Sequence, residues 1–87
     1  MYNKTTERAA RDFRTGDIVE HFKGNKYLIV AVSTHTESKE KMITYRSIYG
    51  GFEYWTRPYE MFMSEVDHEK YPNVAQKYRF ELVNRQG

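Results

Sequence analysis

The side chains best able to do chemistry in this chain of 87 residues fall into two groups. The first is polar. His21, His35 and His68 are the only imidazoles, and His35-Thr36-Glu37 sets a hydroxyl and a carboxylate beside one of them. Such a trio supports acid–base work with Glu37 orienting His35, or supplies a nucleophile through Thr36. No G-x-S-x-G elbow, phosphate loop or supported carboxylate pair accompanies it, and Thr36 and Glu37 are equally at home as turn residues bonding their own backbone. The sequence therefore assigns no catalytic residue. Zinc requires three or four ligands at workable geometry. His21, His35 and Glu37 would have to converge from separate segments to provide them, so no metal and no cofactor is assigned either. With no Cys, thiol catalysis, thiolate metal sites and disulfides are excluded.

The second group is aromatic and basic. Thr44 to Phe62 holds the only Trp, four of the eight Tyr and two of the five Phe. Tyr45 and Tyr49 lie on one side of Gly50-Gly51, and Trp55 and Arg57 on the other. A platform of such rings with a guanidinium beside it stacks a planar ligand and holds a carboxylate or phosphate in a bidentate fork. The competing reading is structural: the rings are core, and Arg57 lies along them with its head in water. Lys23 and Lys26 flank another turn, where they either meet an anion or are simply solvated.

Short β segments must position these groups. Asp17 to Phe22 reads as a first strand, with Phe22-Lys23-Gly24-Asn25-Lys26-Tyr27 as a hairpin turn in which Gly24 and Asn25 tolerate positive φ. Tyr27 to Val32 is an unbroken apolar run without alternation, which predicts a central strand buried on both faces. His35 to Glu40 is a polar turn. A third strand spans Met42 to Tyr49, with Ile43, Tyr45, Ser47 and Tyr49 on one face. A fourth, Phe52 to Arg57, alternates Phe52, Tyr54 and Thr56 against Glu53, Trp55 and Arg57. Phe52 and Tyr54 are the better core candidates of that strand, leaving the Trp55–Arg57 face partly open.

Pro58 begins a helical turn ending at Phe62. Met63 to Asp67 is a further candidate strand, Asp67 to Gln76 an exposed loop, and Lys77 to Val83 the last strand. At the other end, Thr5 to Arg14 has helical spacing, with Thr6 as N-cap and Gly16 as the stop. The prediction is a mainly all-β chain: residues 1–15 a helical extension, and 16–87 a small SH3-like barrel of five or six strands, with an OB-like barrel second. Barrel closure would remove exposed sheet edges.

Fourteen basic and twelve acidic residues are interspersed, for a net charge of +2. Nucleic-acid binding domains usually carry a larger basic excess on one face, so RNA ranks below a protein segment or small molecule as partner. The N-terminus has no apolar signal-peptide core, and no apolar run nears the about 20 residues a helix needs to cross a bilayer. A cytoplasmic location and no membrane partner are expected.

Several stretches occur in a familiar succession: His21-Phe22-Lys23-Gly24-Asn25-Lys26-Tyr27, His35-Thr36-Glu37, Tyr45-Arg46-Ser47-Ile48-Tyr49-Gly50, Trp55-Thr56-Arg57-Pro58, Met61-Phe62 and Arg79-Phe80. Over roughly residues 16 to 81 the chain resembles the bacterial family catalogued as domain of unknown function 1653. It departs from the usual pattern at Val19, where the family has Tyr, and in a longer loop between Val66 and Arg79. The resemblance implies a bacterial SH3-like β domain and brings no activity. It does imply recurring residues, matched here by His21, Lys23, His35, Glu37, Tyr45, Tyr49, Trp55 and Arg57. The expected function is a non-catalytic binding module whose ligand face is Tyr45, Tyr49, Trp55 and Arg57, with His21 and His35 at its rim. The alternatives are a small enzyme with His21, His35, Glu37 and Arg57 in one pocket, an RNA-binding barrel, or an aromatic self-interface.

Overall fold

Four strands run as an antiparallel meander and a fifth returns beside the first. In the computed structural model, which describes residues 11–51 and 53–85, these are β1 (Ile18–His21), β2 (Lys26–Thr34), β3 (Lys41–Ser47), β4 (Tyr54–Pro58) and β5 (Phe80–Asn84). The sheet order is β4-β3-β2-β1-β5. One short helix, α1 (Tyr59–Phe62), follows β4 directly. The helix expected over Thr5 to Arg14 lies mostly outside the described residues; of its last four positions, Arg11 has helical backbone and Asp12 to Arg14 do not. No helix among the described residues is long and apolar enough to cross a membrane.

The closed barrel gives way to a simpler statement: one five-stranded antiparallel sheet whose edges, β4 and β5, do not pair with each other. The candidate strand over Met63 to Asp67 is reduced to a single bridge, Glu65 to Tyr78. What spans the gap between the edges is α1. Pro58 fixes the entry to its first turn, and the turn then lays Phe62 flat on Phe80 of β5, centroids 3.8 Å apart and planes 7° from parallel. Phe62 also meets Tyr45 at 5.1 Å and Phe13 edge-on at 5.4 Å. Val19, Ile29, Ile43, Tyr45, Tyr59, Phe62 and Phe80 are all buried in this one cluster. Each fully buried side chain of this kind contributes about 1.5–3 kcal/mol before entropy is charged.

β2 is central, as its apolar run predicts, but it is not buried on both faces: Ile29 alone is fully buried and its neighbours are half-buried. The missing alternation has another cause. The pairing with β3 shifts between Ile29 and Ala31, so that Ile29 faces Tyr45 while Val32 faces Ile43. A bulge at Val30 moves the inward positions from odd to even numbers, and the sequence must be apolar at both parities across it.

The turn after β1 uses Gly24 at φ +99°, with the Gly24 N–H donating to the His21 carbonyl at 2.8 Å and the His21 N–H to the Asn25 carbonyl at 2.8 Å. Asn25 does not take positive φ. Asp17, the one buried charged residue among the described residues, accepts from the Arg14 N–H at 2.9 Å and from Arg85, whose Nε and Nη2 reach Oδ1 and Oδ2 at 3.0 and 2.9 Å. Burial pushes this carboxyl up. The Arg85 fork, the Arg14 N–H and the two arginine charges outweigh it and hold the net value below 3.8.

Candidate functional site

The face that carries the candidate residues is the inner face of the sheet, beyond the end that α1 covers. Because Ile43 and Tyr45 point inward, their partners across the ladder, Arg57 and Trp55, do so too. Tyr54 pairs with Arg46 on the outer face and is 62% exposed, which overturns its assignment to the core; Phe52 lies outside the described residues. At the end of β4 nearest the Gly50-Gly51 turn the inner face opens, and Trp55 is 39% exposed there. It packs edge-on to Tyr27 at 5.9 Å and tilted on Tyr45 at 6.1 Å.

Tyr27, Ser47, Tyr49, Glu53 and Trp55 line an open groove of 440 Å³. Tyr49, just past β3, is two-thirds exposed and joins Trp55 in it. Tyr45 does not reach this surface. It is buried beneath Trp55 as the floor, and burial raises its phenol above 10.0 although Arg57 pulls the other way.

Arg57 stands next but one to Trp55 on the same face of β4. Its guanidinium carbon lies 5.8 Å from the Tyr45 ring centroid and 5.9 Å from that of Phe80, so the stem does lie along core rings, as the structural reading expected. Its head opens into a second recess, of 290 Å³, together with His21, Lys23, Lys70, Tyr71 and Arg79. Phe22 and Asp67 complete the lining. Hydrogen bonds to the backbone assemble this recess from three segments. The Phe22 N–H donates to the Arg79 carbonyl at 3.0 Å, and Gln76 Nε2 donates to the Glu20 and Tyr78 carbonyls at 3.1 and 2.9 Å, pinning the 67–76 loop against β1. Phe22 and Tyr71 then meet at 5.0 Å.

Within the recess His21 is held as the neutral base. Its Nδ1 accepts the Lys23 N–H at 3.1 Å, so the ring proton sits on Nε2. Burial against Phe22 and Phe80, at 4.3 and 5.0 Å, pushes the imidazole below 6.5, and the charges of Lys23, Arg57 and Arg79 push it further the same way. The Tyr71 phenol is lowered from 10.0, first by the Lys23 ammonium, 5.3 Å from its ring centroid, and then by Lys70.

His35 and Glu37 are not part of either recess. They occupy the turn after β2, where His35 Nδ1 accepts the N–H groups of Glu37 and Ser38, both at 3.2 Å. His21 adjoins the start of β2 and His35 follows its end. The nine residues of β2, at roughly 3.3 Å each, put them about 25 Å apart. The polar quartet of the enzyme reading is thereby split, with His21 and Arg57 together and His35 and Glu37 remote. Among the described residues no three His, Asp or Glu side chains converge on a metal-sized position. His68 sets Nε2 3.2 Å from the Gln76 carbonyl, closing its own loop.

Sequence reasoning overlooked Lys70, Tyr71 and Arg79. The loop reads as polar and exposed, and only the pairing of its ends, Lys70-Tyr71 and Arg79-Phe80, two basic-aromatic steps bracketing Pro72, hinted that it returns to the sheet. A third cleft, of 280 Å³ beside Phe13, Tyr78 and Leu82, holds a cation already engaged: Arg11 stacks 3.3 Å over the Tyr78 ring.

Comparison with known proteins agrees with the motif succession. The family model described as protein of unknown function DUF1653 matches residues 17–82. Among solved structures, the chain is similar to a DUF1653 protein from Bordetella bronchiseptica, with 28% sequence identity and a TM-score of 0.67 over 87% of this chain and 94% of that one. Among curated proteins no match was found.

Proposed function

This chain belongs to the DUF1653 family, and we propose that it is a non-catalytic binding module that takes its ligand on the aromatic and basic inner face beside β4. One observation carries the proposal. The only Trp in the chain stands 39% exposed at the mouth of an open groove, over a buried Tyr and next to a guanidinium. A ring that merely completed a core would be driven under cover in so aromatic a cluster, since each such ring buries roughly 150–250 Å². A half-exposed ring on a rigid floor is instead a stacking platform, and Arg57 supplies a charge at its end.

The ligand is a small molecule or an extended protein segment. The separation of His35 and Glu37 from His21 and Arg57 favours binding over catalysis, because the four polar residues that could share acid–base work do not meet in one recess. The element order, a meander followed by one helical turn and a strand returning beside the first, supports an SH3-like description. Such folds present shallow aromatic grooves to extended or planar partners. A bacterial origin agrees with that of the similar Bordetella protein.

A thermal-shift screen of metabolites, nucleotides and peptides tests the reading. A ligand at 100 times its dissociation constant stabilises by about 2.7 kcal/mol. The expected hit loses its effect in both Trp55→Ala and Arg57→Gln, each compared with its own ligand-free melting temperature so that any change in the fold's stability is subtracted. A hit that stabilises both variants as it does the parent would sink the proposal. Concentration-dependent self-association abolished by Trp55→Ala would replace it with a self-interface.

A further inference from the structure

We propose that the recess formed by His21, Lys23, Arg57, Lys70, Tyr71 and Arg79 binds the phosphate group of a small phosphomonoester. This rests on the reading of the inner face as a ligand surface and names the chemistry of one end of it.

Charge is the first argument. Lys23, Arg57, Lys70 and Arg79 line the recess with a single carboxylate, Asp67, so that this one concavity holds more net positive charge than the whole chain's +2. Asp67 is already committed: its Oδ1 accepts the N–H groups of Glu69 and Lys70, at 3.1 and 3.3 Å, and closes its own turn. None of the four cations forms an ion pair among the described residues, although the chain has twelve acidic side chains. Uncompensated cations gathered in one recess repel one another, and an anion relieves that repulsion.

The kind of anion follows from the donors. They approach from three separate segments: the turn after β1, the strand β4, and the loop leading into β5. A carboxylate is planar and is satisfied by one guanidinium fork. Two guanidinium groups and two ammonium groups lining one recess suit a tetrahedral dianion with several oxygens. Neutral His21 adds a further donor at Nε2 without adding charge, because its Nδ1 is occupied by the Lys23 N–H. The recess, at 290 Å³, exceeds what a phosphate group fills, given that one water occupies about 30 Å³. The ring pair Phe22 and Tyr71 walls the remainder, which suits the organic part of an ester. A nucleic-acid strand would instead ask for cations strung along a track.

The groups that set the pH dependence are the four cations, Asp67, Tyr71 and His21 itself. Bound dianion offsets the field of Lys23, Arg57 and Arg79 at His21, so the His21 ring should titrate at higher pH with phosphate present than without it.

The test is an NMR titration of the full chain with phenyl phosphate, benzoate and inorganic phosphate, at matched ionic strength set by chloride. Saturable shifts are expected at Lys23, Lys70, Tyr71 and Arg79, with phenyl phosphate at least about tenfold tighter than benzoate. Arg79→Gln and Lys23→Gln, both at positions whose backbone bonds survive the change, should each weaken binding by about tenfold. The proposal is overturned if benzoate binds as well as phenyl phosphate, if chloride alone reproduces the shifts, if neither variant weakens binding, or if a single-stranded RNA without terminal phosphate binds more tightly. Trp55→Ala separates the two readings. Phosphate binding that survives it upholds this site even if the groove has no ligand. A Trp55-dependent ligand with no phosphate binding upholds the groove and ends this inference.

Discussion

Phe62 should be the residue on which the integrity of the open sheet depends. The two edges, β4 and β5, share no ladder hydrogen bonds, and the ring of Phe62, carried by the turn that follows β4, lies on Phe80 of β5 at 3.8 Å. Phe62 is fully buried and has two further ring partners, Tyr45 at 5.1 Å and Phe13 at 5.4 Å. Replacing a buried Phe with Ala costs about 3–5 kcal/mol, including the cavity. Leu keeps most of the apolar volume but loses the ring contacts, each worth about 0.5–1.5 kcal/mol beyond area; as three contacts to one ring do not add, the loss is about 2 kcal/mol. A domain of this size has roughly 4–13 kcal/mol in total, at 0.05–0.15 kcal/mol per residue, so Phe62→Ala approaches the unfolded state while Phe62→Leu remains measurable. With a urea slope of about 1 kcal/mol/M, Phe62→Leu should lower the urea midpoint by about 2 M, and exchange of β5 amides should accelerate with it. A midpoint shift below about 0.5 M, or β5 amides as protected as in the parent, would refute the idea that this ring ties the edges together.

Two pH-linked predictions accompany it. Asp17 titrates below 3.8 in the folded chain, so its contribution is complete above 3.8 and is lost as pH falls through that value toward the folded one. Asp17→Asn should therefore be destabilised relative to the parent at pH 7, with the gap in urea midpoint shrinking progressively as pH falls below 3.8; a gap that does not shrink would show that the Arg85 fork is not the cause. His21 titrates below 6.5 because of burial and three neighbouring cations, so the unfolded chain binds its proton more readily. The stabilising contribution of neutral His21 is complete above 6.5 and fades below it. The His21 ring should titrate below 6.5 by NMR and move upward in Lys23→Gln, and an unmoved curve would remove Lys23 from the account.

Much of the fold was legible because it rests on local chemistry. Gly24 marks the first hairpin, Pro58 the start of α1, and the β-rich runs the five strands. What failed was parity. Alternation makes Tyr54 the core residue of β4 and Trp55 its open counterpart, because aromatics at both 54 and 55 give no sign of which set faces inward. That choice is made by the partner strand, where Ile43 and Tyr45 are buried, and it is invisible in β4 alone. The bulge at Val30 misled in the same way, presenting a change of parity as a strand buried on both sides.

The candidate site was legible residue by residue and not as a grouping. His21, Lys23 and Arg57 do share a recess, and Tyr49 and Trp55 share the adjoining groove. Tyr45 supports both from beneath, while His35 and Glu37 close a turn at the far end of β2. Separation along the chain carries no distance. Only the length of β2 decides that two histidines fourteen positions apart cannot meet, and the Gln76 bonds, together with the Phe22 N–H on the Arg79 carbonyl, bring Lys70 and Arg79 to the sheet.

The central claim is that ligand binds against Trp55 and Arg57. Trp55 is the only Trp, so emission excited selectively at the indole, beyond the absorption of the eight Tyr, reports this face. For the ligand that best stabilises the protein against heat, the account predicts a saturable change in Trp55 emission with the same Kd as the thermal effect, abolished by Arg57→Gln. Full thermal stabilisation with Trp55 emission unmoved, or a change that Arg57→Gln leaves intact, would contradict it.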